Sequence, residues 1–194
     1  MRRNYLRNER ETRMARTRMT LREINALDQD GFVAALGFVF EGSPWIAARA
    51  WQARPFGSLT HLHRSLCDVM YNASVEQQVA LIRAHPDLVG QAALAGTLTP
   101  VSTQEQASAG LDRLSPEEIA TFTRLNQAYR HRFGFPFVIC VRENRKEGIL
   151  AGFATRLEHS RDEEISTALA EIAKIASLRL RDVVAADERE QGWP

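Results

Sequence analysis

The chain has 194 residues, 44% hydrophobic and 25% charged, with a formal net charge of +1 and two cysteines. This composition suits one globular domain with a self-supporting core and excludes a collagenous, low-complexity or disulfide-stapled chain. No run approaches the roughly 20 apolar residues that a membrane-spanning helix needs.

The near-neutral charge conceals an asymmetry. Residues 1–18 hold seven Arg against two Glu, an excess of five positive charges, which leaves the remaining residues four charges negative. A mildly acidic body offers no nucleic-acid surface. The basic head reads as a disordered tail or as an extension upstream of a start at Met19. A transit peptide fits less well, because Glu9 and Glu11 are out of place in one. A nucleic-acid arm without a basic body would bind weakly and with little sequence preference. Cys67 and Cys140 form no Cys-x-x-Cys pair, so a reducing compartment is expected.

In chain order, Asp28 stands ahead of QDGFVAALGFVF, where Phe32, Leu36 and Val39 fall at helical spacing. Ser43-Pro44 reads as an N-cap and first-turn proline for a helix over PWIAARAWQA, which stops before Pro55. Ser58 opens LTHLHRSLCDVM, with Leu59, Leu62, Leu66 and Met70 on one stripe, and Ser74 opens VEQQVALIRA, which runs into His85-Pro86. Residues 86–101, PDLVGQAALAGTLTPV, show no clear helical period. A loop of that length in a compact domain points to function or disorder.

Ser115-Pro116-Glu117-Glu118 supplies a cap, a first-turn proline and an acid at the third position. The helix it starts carries Ile119, Phe122, Leu125 and Tyr129 and ends near Gly134. FPFVICV, residues 135–141, is aromatic and β-branched. With no partner strand in view, it is expected as extended core backbone. KEGILAGFATRLE and DEEISTALAEIAKIASLRLRDVV complete the chain as helices, the second burying Ile165, Leu169, Ile172, Ala176, Leu180 and Val183. The expectation is an all-α, single-domain multi-helix bundle over residues 19–186, with one short extended segment near 135–141. A basic extension precedes it and a tail over 187–194 follows.

Histidine placement narrows the chemistry. His61 and His63 sit on a helical pattern, where residues two apart point in different directions, so both read as a solvated face. A helical metalloprotein using His61, His63 and Asp68 is the rival reading. His131 and His159 lie among charges near helix ends and read as surface groups. His85 differs, because Pro86 disfavours helical geometry at the residue before it. Its imidazole is then held at a helix C-terminus, which favours the protonated form. With an ordinary pKa near 6.5, it is either a proton carrier near neutrality or a spacer that caps carbonyls.

Ser102 with Glu105 reads as a capping box. Ser102, Glu105 and Gln106 also share one helix face beside free backbone N–H groups, where they could hold a polar heterocycle. Arg179 lies at the edge of the last apolar stripe. Either its stem runs along the core or its planar fork turns inward to hold a carboxylate. No GxGxxG, Walker loop, HExxH, GxSxG or zinc spacing is present.

The stretches LGFVFEGSPWIA, RPFGSL, AHPDL, GTLTP, STQEQASAGL, LNQAYRHRFGFPFVICVR and EIAKIASLRLRDVV, in that order, resemble the OHCU decarboxylases. OHCU is 2-oxo-4-hydroxy-4-carboxy-5-ureidoimidazoline, formed in urate breakdown. The resemblance implies an all-α homodimer that uses no cofactor and no metal. It implies His85, Glu105 and Arg179 as catalytic residues. Pro86, Ser102, Thr103, Gln104, Gln106 and the Phe137, Val138, Ile139, Cys140 and Val141 segment would be substrate contacts.

The implied partner is the small molecule OHCU, with no nucleic acid and no membrane. A cytoplasmic location is expected, because peroxisomal members carry a terminal tripeptide that is not read at QGWP. The implied chemistry suits these residues. The carbon bearing the carboxylate adjoins a C=N bond that accepts the electron pair, so no cofactor sink is needed. Two rivals remain: a non-catalytic helical interaction module, and a same-fold enzyme acting on a related ureido heterocycle.

Overall fold

The computed structural model describes residues 18–185. The readings of the basic head through residue 17, and of the tail beyond residue 185, lie outside the described residues. Within them the protein is helical and contains no strand. One isolated bridge joins Met19 to Val184, so the two ends of the described chain meet.

The helices are α1 (Leu21–Ala26), α2 (Gln29–Leu36), α3 (Trp45–Ala50), α4 (Leu59–Tyr71), α5 (Val75–Ala84), α6 (Gln91–Leu94), α7 (Pro100–Ser108), α8 (Pro116–Phe133), α9 (Lys146–Arg156) and α10 (Arg161–Val183). Single 3-10 turns follow α2 (Gly37–Val39) and α3 (Trp51–Ala53), and a third covers Val141–Glu143.

Local chemistry sets these boundaries. The hydroxyls of Ser58 and Ser74 accept from the amides of His61 and Gln77, as the sequence pattern predicts. Ser115 forms a full capping box with Glu118 ahead of Pro116-led α8, and Gly134 ends that helix at φ +78°, where a side chain would be strained. α3 begins at Trp45, one residue later than the Ser43-Pro44 pattern suggests, and Ile46 N–H still donates to the Ser43 carbonyl at 3.1 Å.

Two expectations fail at residues 86–105. The stretch read as one long loop contains the short helix α6. Helix α7 also starts at Pro100, two residues before Ser102. Thr99 is the cap, accepting from Ser102 N–H at 3.2 Å, with Pro100 in the first turn, so Ser102 and Glu105 form no capping box. Threonine followed by proline wins because proline has no first-turn N–H to satisfy, while Thr99 serves the amide of Ser102.

The longest helix, α10, is the spine. It packs against α4, α5 and the Gly37–Val39 turn, while α7 packs on the Val141–Glu143 turn. This packing corrects the reading of His63. The contact with α10 leaves it half-buried, with Nε2 2.8 Å from the Ala173 carbonyl and 3.3 Å from the Cys67 sulfur. His61 stays exposed and accepts from Gly57 N–H at 3.2 Å. Among the described residues no group of three His, Cys, Asp or Glu side chains could hold a metal ion.

Residues 136–140 are extended without a partner strand, and side chains take the ladder's place. Arg156 Nη1 donates to the Val138 carbonyl at 2.7 Å, and Cys140 N–H donates to Glu171 at 2.8 Å. Phe137 stacks on Phe153 at 3.8 Å and meets Tyr129 edge-on at 5.2 Å. Buried Glu164 holds this cluster together by accepting from Arg156 at 2.8 Å and from the Tyr129 hydroxyl at 2.5 Å.

Candidate active site

His85 closes α5 at φ −74°, ψ 139°, so the helix breaks where Pro86 requires it. The ring is buried, and its Nδ1 lies 3.0 Å from the Leu81 carbonyl. A carbonyl only accepts, so Nδ1 carries the hydrogen and Nε2 keeps the lone pair.

Burial pushes the His85 pKa down to about 4, against the Leu81 hydrogen bond; Arg179 lowers it further and Glu41 opposes. Burial thus outweighs the helix terminus and holds the ring toward its neutral form. The cost of removing a cation from water exceeds the attraction of one helix terminus.

The turn after His85 is clamped on several sides. Val89 adopts φ +54°, a strained conformation for a β-branched residue. Its N–H donates to Gln106 Oε1 at 3.1 Å, Asn126 Nδ2 donates to the Leu88 carbonyl at 2.8 Å, and Arg130 Nε reaches both Asp87 oxygens at 2.9 Å. Gly90 admits no side chain, because a Cβ there would lie 2.6 Å from that of Asp87.

Arg179 turns inward, the second of its two sequence readings. Its side chain is 3% exposed, and its Nε and Nη2 grip Glu105 at 2.9 and 2.7 Å in a bidentate pair. Nη1 donates to Glu41 at 3.0 Å and to the Phe38 and Val39 carbonyls at 3.2 and 3.5 Å. Burial disfavours the guanidinium charge, but Glu105 and Glu41 outweigh it and hold the Arg179 pKa above the usual arginine value. Of the five N–H groups of an arginine, these contacts leave one on Nη2 unassigned.

A cavity of about 40 Å³, open to solvent, lies between these elements. Polar groups line it from His85, Ser102, Glu105, Gln106 and Arg179, and Leu88, Phe137, Ile139, Val141 and Ile175 form its apolar wall. That volume takes a few water-sized groups.

His85, Ser102, Glu105, Gln106 and Arg179, from segments remote in sequence, thus line one cavity. Pro86 and Val138 also line the cavity. Thr103 and Gln104 do not: both are exposed, and the Thr103 hydroxyl donates to the Thr99 carbonyl at 3.0 Å. Cys140 is buried outside the lining, and burial pushes its thiol up to about 11.

The sequence reading missed Glu41. It accepts from Ser102 Oγ at 3.2 Å as well as from Arg179. Nothing local to GFVFEGSP signals this, because its partners are 61 and 138 positions away.

A family model described as OHCU decarboxylase matches residues 25–181. The chain belongs to the OHCU decarboxylase family.

A relative from Haloferax volcanii, 2-oxo-4-hydroxy-4-carboxy-5-ureidoimidazoline decarboxylase, is 45% identical over 84% of this chain and 95% of its own length. Another of that name, from Halalkalicoccus jeotgali, is 42% identical over 86% of this chain and 93% of its own length. The fold superposes on a crystal structure of (S)-allantoin synthase with a TM-score of 0.68 at 25% identity, covering 86% of this chain and 54% of that longer one. The family match takes in the whole cavity lining, from His85 to Arg179.

Proposed function

We propose that the protein converts OHCU to (S)-allantoin and CO2 without a cofactor, as the last step from urate to allantoin, with His85 moving the proton. The observation that carries this reading is a buried His85, its Nδ1 tied to the Leu81 carbonyl, lining one cavity with Ser102, Glu105, Gln106 and Arg179 and with apolar Leu88, Phe137, Ile139 and Ile175. The names of the relatives support the substrate.

The substrate ring is held so that its carboxylate stands out of the ring plane against Leu88, Phe137, Ile139 and Ile175. A poorly solvated carboxylate is disfavoured there relative to neutral CO2. When the C–C bond breaks, its electron pair moves toward the adjacent C=N, forming a ring C=C and leaving the charge on nitrogen, which takes a proton from solvent. Nε2 of His85 accepts the proton of the ring hydroxyl and returns it to the neighbouring carbon as the carbonyl forms. Delivery from one side gives one hand of allantoin.

The Glu105–Arg179 pair acts as a unit. With most of its donors already engaged, Arg179 offers the substrate one N–H and mainly fixes Glu105, which orients the ring or the imidazole. The oxygen of Gln106 is committed to Val89, and its Nε2 makes only a long 3.5 Å contact to Asp87, so the amide end is the part that meets a ureido oxygen. The protein acts as a homodimer in the cytoplasm on this reading. Among the described residues no helix is long and apolar enough to cross a membrane.

The test is incubation with freshly generated OHCU, following absorbance loss and the circular dichroism of the product. Accelerated formation of the S enantiomer is expected. Decay at the spontaneous rate to racemic allantoin refutes the proposal.

A further inference from the structure

Glu41 comes from a part of the chain that contributes nothing to the cavity lining, and it meets the site through Arg179 and Ser102. It follows the Gly37–Val39 turn, and its side chain is 11% exposed. Its Oε2 accepts from Arg179 Nη1 at 3.0 Å and from Ser102 Oγ at 3.2 Å, and its Oε1 accepts from Thr99 Oγ1 at 3.4 Å. One carboxylate therefore ties α10 to the first turn of α7.

The geometry has a specific consequence. A guanidinium is planar, so two fixed corners fix the whole fork. Glu105 holds the Nε–Nη2 edge, and Glu41 with the Phe38 and Val39 carbonyls holds the Nη1 corner. Without the Glu41 carboxylate that corner keeps only the two longer carbonyl contacts, which loosens the plane that Glu105 is gripped by. Charge adds a second consequence. Arg179 and Glu105 alone would neutralise each other, and Glu41 leaves the cluster with one excess negative charge.

Arg179 from α10 and Glu41 act on the His85 ring, Glu105 from α7 shares its cavity lining, and Asp87, two residues on, is paired with Arg130 from α8. Arg179 disfavours a protonated imidazole and Glu41 favours it.

We infer that Glu41 is a positioning residue for the decarboxylation, fixing the plane of Arg179 and the hydroxyl of Ser102 and setting the field at His85 through its charge. The inference rests on the OHCU reading for its kinetic test but not for its electrostatic one.

Three proteins are compared: wild type, Glu41→Gln and Glu41→Asp. Each is assayed with OHCU across acidic to neutral pH, melted, and followed by NMR titration of His85. Glu41→Gln lowers kcat roughly 10- to 100-fold, the range set by small displacements of catalytic groups. KM changes less, and both the His85-governed limb of the rate profile and the His85 titration move to lower pH. Glu41→Asp keeps the charge, leaves the titration near its wild-type position and recovers part of kcat.

A purely structural role would lower the melting temperature of both variants and leave the titration in place, and that result overturns the inference. So does a Glu41→Gln protein with wild-type kcat and profile. If the wild type does not consume OHCU, the functional proposal falls by itself. The titration then decides the inference: displacement to lower pH in Glu41→Gln supports it, and no displacement overturns it.

Discussion

The neutral state of His85 has a thermodynamic signature in the folded protein. In the native state its pKa is about 4, whereas the unfolded chain recovers the ordinary value of 6.5. Between those values the unfolded chain holds a proton that the folded chain does not, so stability falls as the pH drops through that window. Outside it this group contributes no slope. The displacement corresponds to about 3 kcal/mol, of which about 2 kcal/mol is lost by pH 5.

Urea unfolding of wild type and His85→Asn at several pH values isolates the effect, because the other titrating groups largely cancel in the difference. The wild type should lose about 2 kcal/mol more than the variant between pH 7 and pH 5. A difference that stays constant with pH would mean a solvated imidazole that protonates in the ordinary range. The account of a ring that burial holds neutral would then be wrong.

Two further changes test the supports of the cavity. Arg156→Met leaves the fully buried Glu164 without its cation and releases the Val138 carbonyl. It should cost about 3–5 kcal/mol by denaturant unfolding, and Arg156→Met/Glu164→Gln should recover part of that loss. Thr99→Ala removes the cap of α7 and a contact to Glu41. It should cost about 1 kcal/mol and lower the melting temperature by roughly 2–4 °C, with a larger loss of kcat than of substrate affinity.

Much of the architecture was legible because it depends on neighbouring residues. Ser58, Ser74 and Ser115 start helices through hydrogen bonds three residues long, and Pro86 stops one through contact with the residue before it. The shared face of Ser102, Glu105 and Gln106 follows from helical periodicity, which survives a misplaced helix start.

What was not legible depends on long-range packing. The half-buried ring of His63 needs α10 across from it. The choice between the two readings of Arg179 needs Glu105, 74 positions away. The depressed pKa of His85 needs the walls of the cavity. The substitution of Arg156 and Glu171 for a partner strand explains how residues 136–140 stay extended inside a helical protein, and no local pattern announces it.

The central claim is that one imidazole nitrogen carries the proton from oxygen to carbon on one face of the ring. The most direct measurement uses folded His85→Asn with fresh OHCU, recording the rate of substrate loss and the enantiomeric excess of allantoin together. The account predicts a fall in kcat of about 100-fold or more and a product close to racemic. S-Allantoin formed at the wild-type rate by that variant would contradict it.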